Sequence, residues 1–198
     1  MSKLTQTYWD KEYNQLDPQW NYRSEFAHKI LDKYAVHSDS ILEIGAGAGR
    51  TTNYLYNKGF KDITALDVDK KQLDLITNSG IKKVNKTIQE HVEDNKKYDV
   101  VLTISTLYLI PYTDDNVFEE IAKIAKKYII TIEGEKGCGR FGRLYERNYG
   151  EVFSKFGFEE IECQKDVFNM FGVLRVLKNE NYNPNVAGKI NNYKRNYV

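Results

Sequence analysis

Cysteine is scarce in this chain, with two in 198 residues. Cys138 and Cys163 lie far apart and form no C-x-x-C pair, which excludes a disulfide framework and a zinc site of the usual spacing and suits a reducing compartment. The three histidines, His28, His37 and His91, show no metal-ligand spacing and read as surface or packing residues, so no metal is expected. Excess charge is missing too: 29 basic against 28 acidic residues leave a net +1. That balance does not call for nucleic acid or an anionic membrane as a partner. No apolar stretch approaches the length of a membrane span. The opening Met-Ser-Lys-Leu-Thr-Gln lacks the apolar core of a signal peptide, so a cytoplasmic protein is expected. At this length one domain with a single well-buried core is expected.

What the chain does have is concentrated between residues 41 and 52. The run Ile41-Leu42-Glu43-Ile44-Gly45-Ala46-Gly47-Ala48-Gly49-Arg50-Thr51-Thr52 reads as a buried strand, a tight glycine turn and the first turn of a helix. Alternate glycines strip side chains from the turn, so a ligand could lie against bare backbone. The helix start would aim free N–H groups and the positive end of its dipole into the same space. A polar or anionic small molecule is therefore expected at the C-terminal edge of a parallel sheet. The alternative is a glycine-rich β–α turn that binds nothing. The spacing is not the dinucleotide G-x-G-x-x-G, whose third glycine would fall at Arg50, and no phosphate loop is present.

A second segment, Lys61 to Asp69, reads as a strand ending in an acid, Asp67, one helix and one returning strand after Gly45. A carboxylate at that strand tip can accept hydrogen bonds from both hydroxyls of a ribose, whereas Asp69 reads as the N-cap of the next helix. Strands are expected near 40–44, 62–67, 82–88, 98–104 and 127–133. Helices are expected at 22–35, 49–58, 69–78 and 114–126, with none of any length between the third and fourth strands. Strands alternating with helices predict a parallel, doubly wound sheet. A helix over 148–156, stopped by Gly157, then precedes two antiparallel strands, 158–163 and 171–177. Residues 179–198, polar and Asn-rich, read as a flexible tail, with an arm over the active site as the alternative.

The Glu-x-Gly-x-Gly-x-Gly run resembles motif I of the class I S-adenosylmethionine-dependent methyltransferases, and the strand ending at Asp67 looks like their motif II. Helix, Gly-Phe, strand, turn, strand is also how that fold finishes, so the resemblance covers roughly residues 8–178. It implies an α/β, Rossmann-like, doubly wound seven-stranded sheet, mostly parallel with one antiparallel strand, and helices on both faces. The domain would span 1–178, with 1–38 as a helical lid. The cofactor implied is S-adenosylmethionine, with S-adenosylhomocysteine (SAH) as product. Glu43, Gly45, Ala46 and Gly47 would bind it, Asp67 would hold its ribose and Val68 lie against one face of adenine, while Ser105–Pro111 resembles the segment that carries its methionine end and opens onto the acceptor. The family's adenine-reading acid would fall near Thr87, where this chain has none, so Thr87, Gln89 and the backbone at Ile88 stand as substitutes. Ile104, ending the fourth strand, would complete the pocket. The aromatic Tyr8–Tyr13 segment resembles a lid, with Tyr13 against the cofactor, Trp20 continuing it and Arg23 on the methionine carboxylate.

The implied activity is in-line methyl transfer, in which alignment and exclusion of water matter most. A general base is optional, and its candidates are Tyr108, just past the fourth strand, and Glu133, ending the fifth. The bland readings are a half-buried aromatic and a solvated strand-end charge. Lys136, Arg140, Arg143 and Arg147 could form a cap that draws in an anionic acceptor, or simply a solvated basic face. A small-molecule acceptor is the leading expectation, because no further domain offers a surface for a large target. The alternatives are methylation of RNA or protein, or cofactor binding without catalysis. Aminopropyl transfer is disfavoured because Ser105-Thr106-Leu107 supplies no acid for a polyamine, and the fourth strand lacks the Asn/Asp-Pro-Pro-aromatic motif of base-amine methylation. The acceptor, the attacking atom and the oligomeric state are not legible in the residues.

Overall fold

A computed structural model of the chain describes residues 19–135, 145, 147–167 and 172–183. The fold is a Rossmann-like, mostly parallel seven-stranded sheet with surrounding helices, as the resemblance implies. The structure divides into two compact units after Asn85.

The first unit opens with α1 (Gln19–Tyr34). It continues through β1 (Ile41–Ile44), α2 (Arg50–Asn57), β2 (Ile63–Asp67), α3 (Lys70–Asp74) and β3 (Lys82–Asn85). β1 pairs in parallel with β2, Ile44 facing Leu66, and β2 with β3, Asp67 facing Asn85. Every residue of β1 is buried, as an inner parallel strand requires. β3 is a polar strand with Lys82 and Lys83 exposed.

The second unit runs through α4 (Ile88–Val92), β4 (Tyr98–Ile104), α5 (Asn116–Ile124), β5 (Ala125–Glu133), α6 (Tyr149–Ser154), β6 (Phe158–Asp166) and β7 (Gly172–Asn179). β4 and β5 are parallel, and β7 runs antiparallel to both β5 and β6, so β7 is the one reversed strand. Its core joins the apolar β4 and β5 to an aromatic cluster. Phe153 of α6 packs edge-on against Phe118 of α5 at 5.8 Å and Phe158 of β6 at 6.5 Å between ring centres.

Three boundaries differ from expectation, each for a local reason. The third strand stops at Asn85 rather than 88, because Thr87 caps α4: its hydroxyl accepts the Glu90 N–H while the Glu90 carboxylate accepts the Thr87 N–H, a reciprocal capping box. The helix expected over 69–78 ends at Asp74, although Asp69 is its N-cap, accepting the Lys71 N–H at 2.9 Å. The expected tail begins later than 179. Asn179 ends β7 and donates to the Ala125 carbonyl, and the Tyr182 ring meets Tyr128 at 5.6 Å. Residues 184–198 lie outside the described residues.

The second unit also contains a buried ion cluster. Arg175 of β7 donates to both oxygens of Glu135 at 2.7 Å and to Glu160 of β6, and Arg175 and Glu135 are both buried. Removing one partner of such a pair strands the other charge without water. Arg175→Ala is therefore expected to lower the free energy of unfolding by about 3–5 kcal/mol, read from urea denaturation. A loss under about 1 kcal/mol would show that the cluster is solvated in solution.

Candidate functional site

The glycine turn joins β1 to α2 within the first unit. Gly45, Gly47 and Gly49 all have positive φ, at 71°, 52° and 72°. This left-handed backbone strongly favours glycine. The glycines differ in what surrounds them. A side chain on Gly49 would strike Ile76 and the Thr52 hydroxyl, so Gly49 is small because helix and loop pack against it. A side chain on Gly47 would meet nothing within 4 Å, so beside Gly47 the bare backbone faces open space.

The turn is fastened to the tip of β2. The Gly45 and Ala46 N–H groups donate to the Leu66 carbonyl, at 2.8 and 3.1 Å. The Gly47 N–H donates to Asp67 Oδ2 at 2.7 Å, and the Asp69 N–H to Asp67 Oδ1 at 2.8 Å. Each carboxylate oxygen thus accepts one backbone N–H and keeps a further lone pair, on a residue only partly buried. Burial raises the Asp67 pKa above its ordinary value, and the Asp69 and Gly47 N–H groups oppose that shift. Val68, the next residue, leaves 37% of its surface exposed, so an apolar face adjoins the carboxylate. Asn85 supports the strand tip from β3, its amide donating to the Asp67 and Val68 carbonyls.

Beneath the turn lies Glu43, buried in the middle of β1. Burial pushes its pKa up to about 8, against the pull of the Thr52 N–H and the Thr51 hydroxyl, and the Asp67 charge pushes it further up. Its Oε2 is buried with no hydrogen-bond partner in the structure, an orphaned acceptor under a glycine turn. Thr51 Oγ1 in turn lies 3.3 Å from Ser24 Oγ, both residues buried, so α1 is fixed to the first turn of α2. Ser24 is the residue that sequence reasoning missed. Its neighbour Arg23 is half-buried on α1. Trp20 lies on α1 without a described side chain, and Tyr13 lies outside the described residues.

In the second unit, taken by itself, the remaining candidates lie on α4, at the ends of β4 and β5 and in the loop after β4. The Thr87 hydroxyl is committed to its capping box, Ile88 is buried, and Gln89 is exposed. Ile104 ends β4 half-buried, and Tyr108 sits half-buried in a 3₁₀ turn, Leu107–Leu109. Glu133 differs from the solvated strand-end charge weighed against it. It is fully buried, with Oε2 accepting the Thr106 and Leu107 N–H groups at 2.8 and 3.0 Å. Burial pushes its pKa up to about 7, the Thr103 hydroxyl and the loop N–H groups pulling the other way. Arg147 corrects the expected basic cap. It is buried and turned into its own fold, bound to Asp115 and to the Ile110 and Tyr145 carbonyls. Lys136, Arg140 and Arg143 lie outside the described residues. Among the described residues no cluster of His, Cys, Asp and Glu could hold a metal ion, and no helix is long and apolar enough to cross a membrane.

The raised Glu43 pKa has a testable consequence. A group whose pKa is higher folded than unfolded adds stability that is complete below its unfolded value, near 4.5, and is lost as pH rises through about 8. Glu133 acts in the same direction through about 7. The melting temperature of the free protein is expected to fall from pH 5 to pH 9. Glu43→Gln should match the parent near pH 5 and exceed it by several degrees at pH 9. An equal deficit at both pH values would show that Glu43 is charged in the folded state throughout.

Comparison with known proteins agrees with this geometry. Residues 41–128, from β1 into β5, match the family model described as a methyltransferase domain. The ribosomal RNA small subunit methyltransferase A of Mycoplasma mobile is 28% identical over 130 residues, which are 63% of this chain and 50% of that protein. The ubiquinone biosynthesis O-methyltransferase of Rickettsia bellii is 29% identical over 143 residues, 66% of this chain and 58% of that one. The chain thus spans about half the length of the curated relatives it matches. Among solved structures, magnesium protoporphyrin IX methyltransferase from Synechocystis PCC 6803 with bound SAH superposes with a TM-score of 0.69 at 13% identity, covering 89% of this chain and 94% of that one. The PH0226 protein of Pyrococcus horikoshii OT3 superposes with a TM-score of 0.70 at 16% identity, covering 87% and 98%. Residues 41–128 thus carry a methyltransferase domain, and the fold is that of the solved methyltransferase with bound SAH.

Proposed function

We propose that the protein binds S-adenosylmethionine at the glycine turn and transfers its methyl group to a small-molecule acceptor. The observation that carries this reading is the join between Gly47 and Asp67. A backbone N–H holds the carboxylate at the strand tip, and open space lies on the side where a Cβ would stand. The donor set fits an adenosyl amino acid. Asp67 retains lone pairs for two ribose hydroxyls, Val68 offers an apolar face to the base, and the unpartnered Glu43 oxygen suits an ammonium group. Gly45 and Ala46 shape the turn through their bonds to Leu66. Arg23 is assigned to the methionine carboxylate, and Ile88, Gln89 and Ile104 to the base and the methionine end, with Thr87 acting through its cap.

When bound, the cofactor supplies an activated methyl group on a sulfonium. The protein then has to orient the acceptor and exclude water, which asks for a rigid surround more than for a proton carrier. Tyr108 is the side chain assigned to the acceptor.

A small acceptor is favoured over RNA because the net charge is only +1 and several surface lysines are paired with acids: Lys70 with Asp74, Lys86 with Asp94, and Lys126 with Asp99. Such pairs leave less positive charge to neutralise phosphates. The RNA reading draws on the ribosomal RNA methyltransferase among the relatives. Salt-sensitive retention of RNA on a filter, weakening steeply from 50 to about 200 mM salt, would favour it.

The cofactor assignment is tested by calorimetry with SAH. The parent is expected to bind, and Asp67→Ala to lose at least about tenfold in affinity, since two charge-assisted hydrogen bonds are worth upward of about 1.4 kcal/mol. Equal affinity in both proteins, or none in the parent, would overturn it.

A further inference from the structure

The loop after β4, residues 105–115, is held from both ends by two buried side chains, Glu133 and Arg147. At its start the chain turns sharply. Ser105 has φ 55°, a left-handed conformation that costs free energy for a residue with a Cβ. The Ser105 N–H reaches the Ile132 carbonyl at 3.0 Å, and the next two N–H groups, of Thr106 and Leu107, both reach the Glu133 carboxylate. The 3₁₀ turn carrying Tyr108 follows directly, closed by the Leu109 N–H on the Thr106 carbonyl at 3.1 Å.

At the far end a cation takes the complementary groups. Arg147 donates Nη1 to the Ile110 carbonyl at 2.8 Å, and Nε and Nη2 to Asp115 Oδ1 at 3.1 and 2.5 Å. Its guanidinium also lies 4.6 Å from the Tyr112 ring centre and 5.0 Å from that of Phe118. The adjacent Tyr145 N–H donates to the Tyr108 carbonyl at 2.9 Å, tying the same segment to the middle of the loop. Tyr149 of α6, fully buried, feels both groups. Its phenol is pushed up by burial and by Glu133, and drawn down by Arg147.

We propose that Glu133 and Arg147 are positioning residues, a carboxyl group accepting the loop's N–H groups and a cation on its carbonyl and acid, which together fix the shape in which Tyr108 is presented. The use made of that shape rests on the methyl-transfer reading; the clamp itself does not. Glu133 is suited to this task and not to carrying a proton. It is sealed from solvent, and its oxygens already point at backbone donors. Leu107 is buried and Thr106 half-buried, so the Leu107 N–H above all would be costly to leave unmet.

Two conservative variants separate reach from charge. Glu133→Gln keeps an acceptor oxygen at the same distance without the charge, and Glu133→Asp keeps the charge but withdraws it by one methylene. Amide hydrogen exchange of the full-length protein, with no ligand added, reports on the loop directly. In Glu133→Asp, exchange at Thr106 and Leu107 is expected to quicken by about tenfold or more, with Glu133→Gln within about threefold of the parent. Arg147→Lys, which keeps the charge but loses the fork, should quicken exchange over 109–115 by about tenfold. Strands β1 and β2 serve as the reference and should exchange as in the parent. If Glu133→Asp leaves Thr106 and Leu107 unchanged, or Glu133→Gln frees them as far as Glu133→Asp does, the clamp is wrong. Titration of the unaltered protein with SAH is run alongside. Failure to bind would refute the methyl-transfer reading and leave the exchange result to judge the clamp.

Discussion

One hydrogen bond organises the first unit: the Gly47 N–H on Asp67 Oδ2 at 2.7 Å. It joins the loop after one strand to the tip of the next, and it does so through a carboxylate whose second oxygen is held by the Asp69 N–H. A side chain gripped by two backbone donors has little rotamer freedom left to lose when a ligand arrives. The same bond fixes the turn in its left-handed conformation, leaving the open side of Gly47 next to the free lone pairs of Asp67. Asp69 adds a second level of order by capping α3, so the helix after the strand tip cannot drift away from it.

Two buried carboxylates, Glu43 in β1 and Glu133 at the end of β5, show how much uncharged packing surrounds these features. Both have pKa values raised by burial, to about 8 and about 7. Their surroundings nevertheless differ. Glu133 is met by backbone donors from a loop that would otherwise carry unmatched N–H groups, and its acceptors complete that loop. Glu43 keeps an unmatched oxygen under the glycine turn. An unmatched buried acceptor costs stability, and its survival in a strand of otherwise apolar residues points to a partner the free chain does not supply. The buried Arg175–Glu135 pair lacks that signature, since its charges are matched within the fold.

Much of this was legible in the sequence where local chemistry and the tertiary structure agree. The alternation of strands and helices, the antiparallel pair after Gly157 and the acid closing β2 follow from residue order and periodicity, and the single reversed strand from the resemblance. What escaped was set by less local bonds. Thr87 reads as part of a strand over 82–88, yet Thr87-Ile88-Gln89-Glu90 is a capping-box sequence and the helix wins. Glu133 read as a possible solvated charge or base, since nothing in its own strand reveals that a loop 26 or 27 residues earlier brings two N–H groups to it. Arg147 read as part of a basic face. Its partners, Ile110 and Asp115, lie more than 30 residues away in sequence. Gly47 and Gly49 look identical as letters, and only the packing of Ile76 against one of them separates a cradle from a close helix contact.

The central claim is that the Gly47–Asp67 join seats the adenosyl cofactor. The most direct test is backbone amide NMR of the isotope-labelled protein during titration with SAH. The account predicts that the Gly47, Val68 and Asp69 amides shift together and saturate together, since all three adjoin the Asp67 carboxylate. Saturable binding that leaves those amides unmoved and shifts others instead would contradict it.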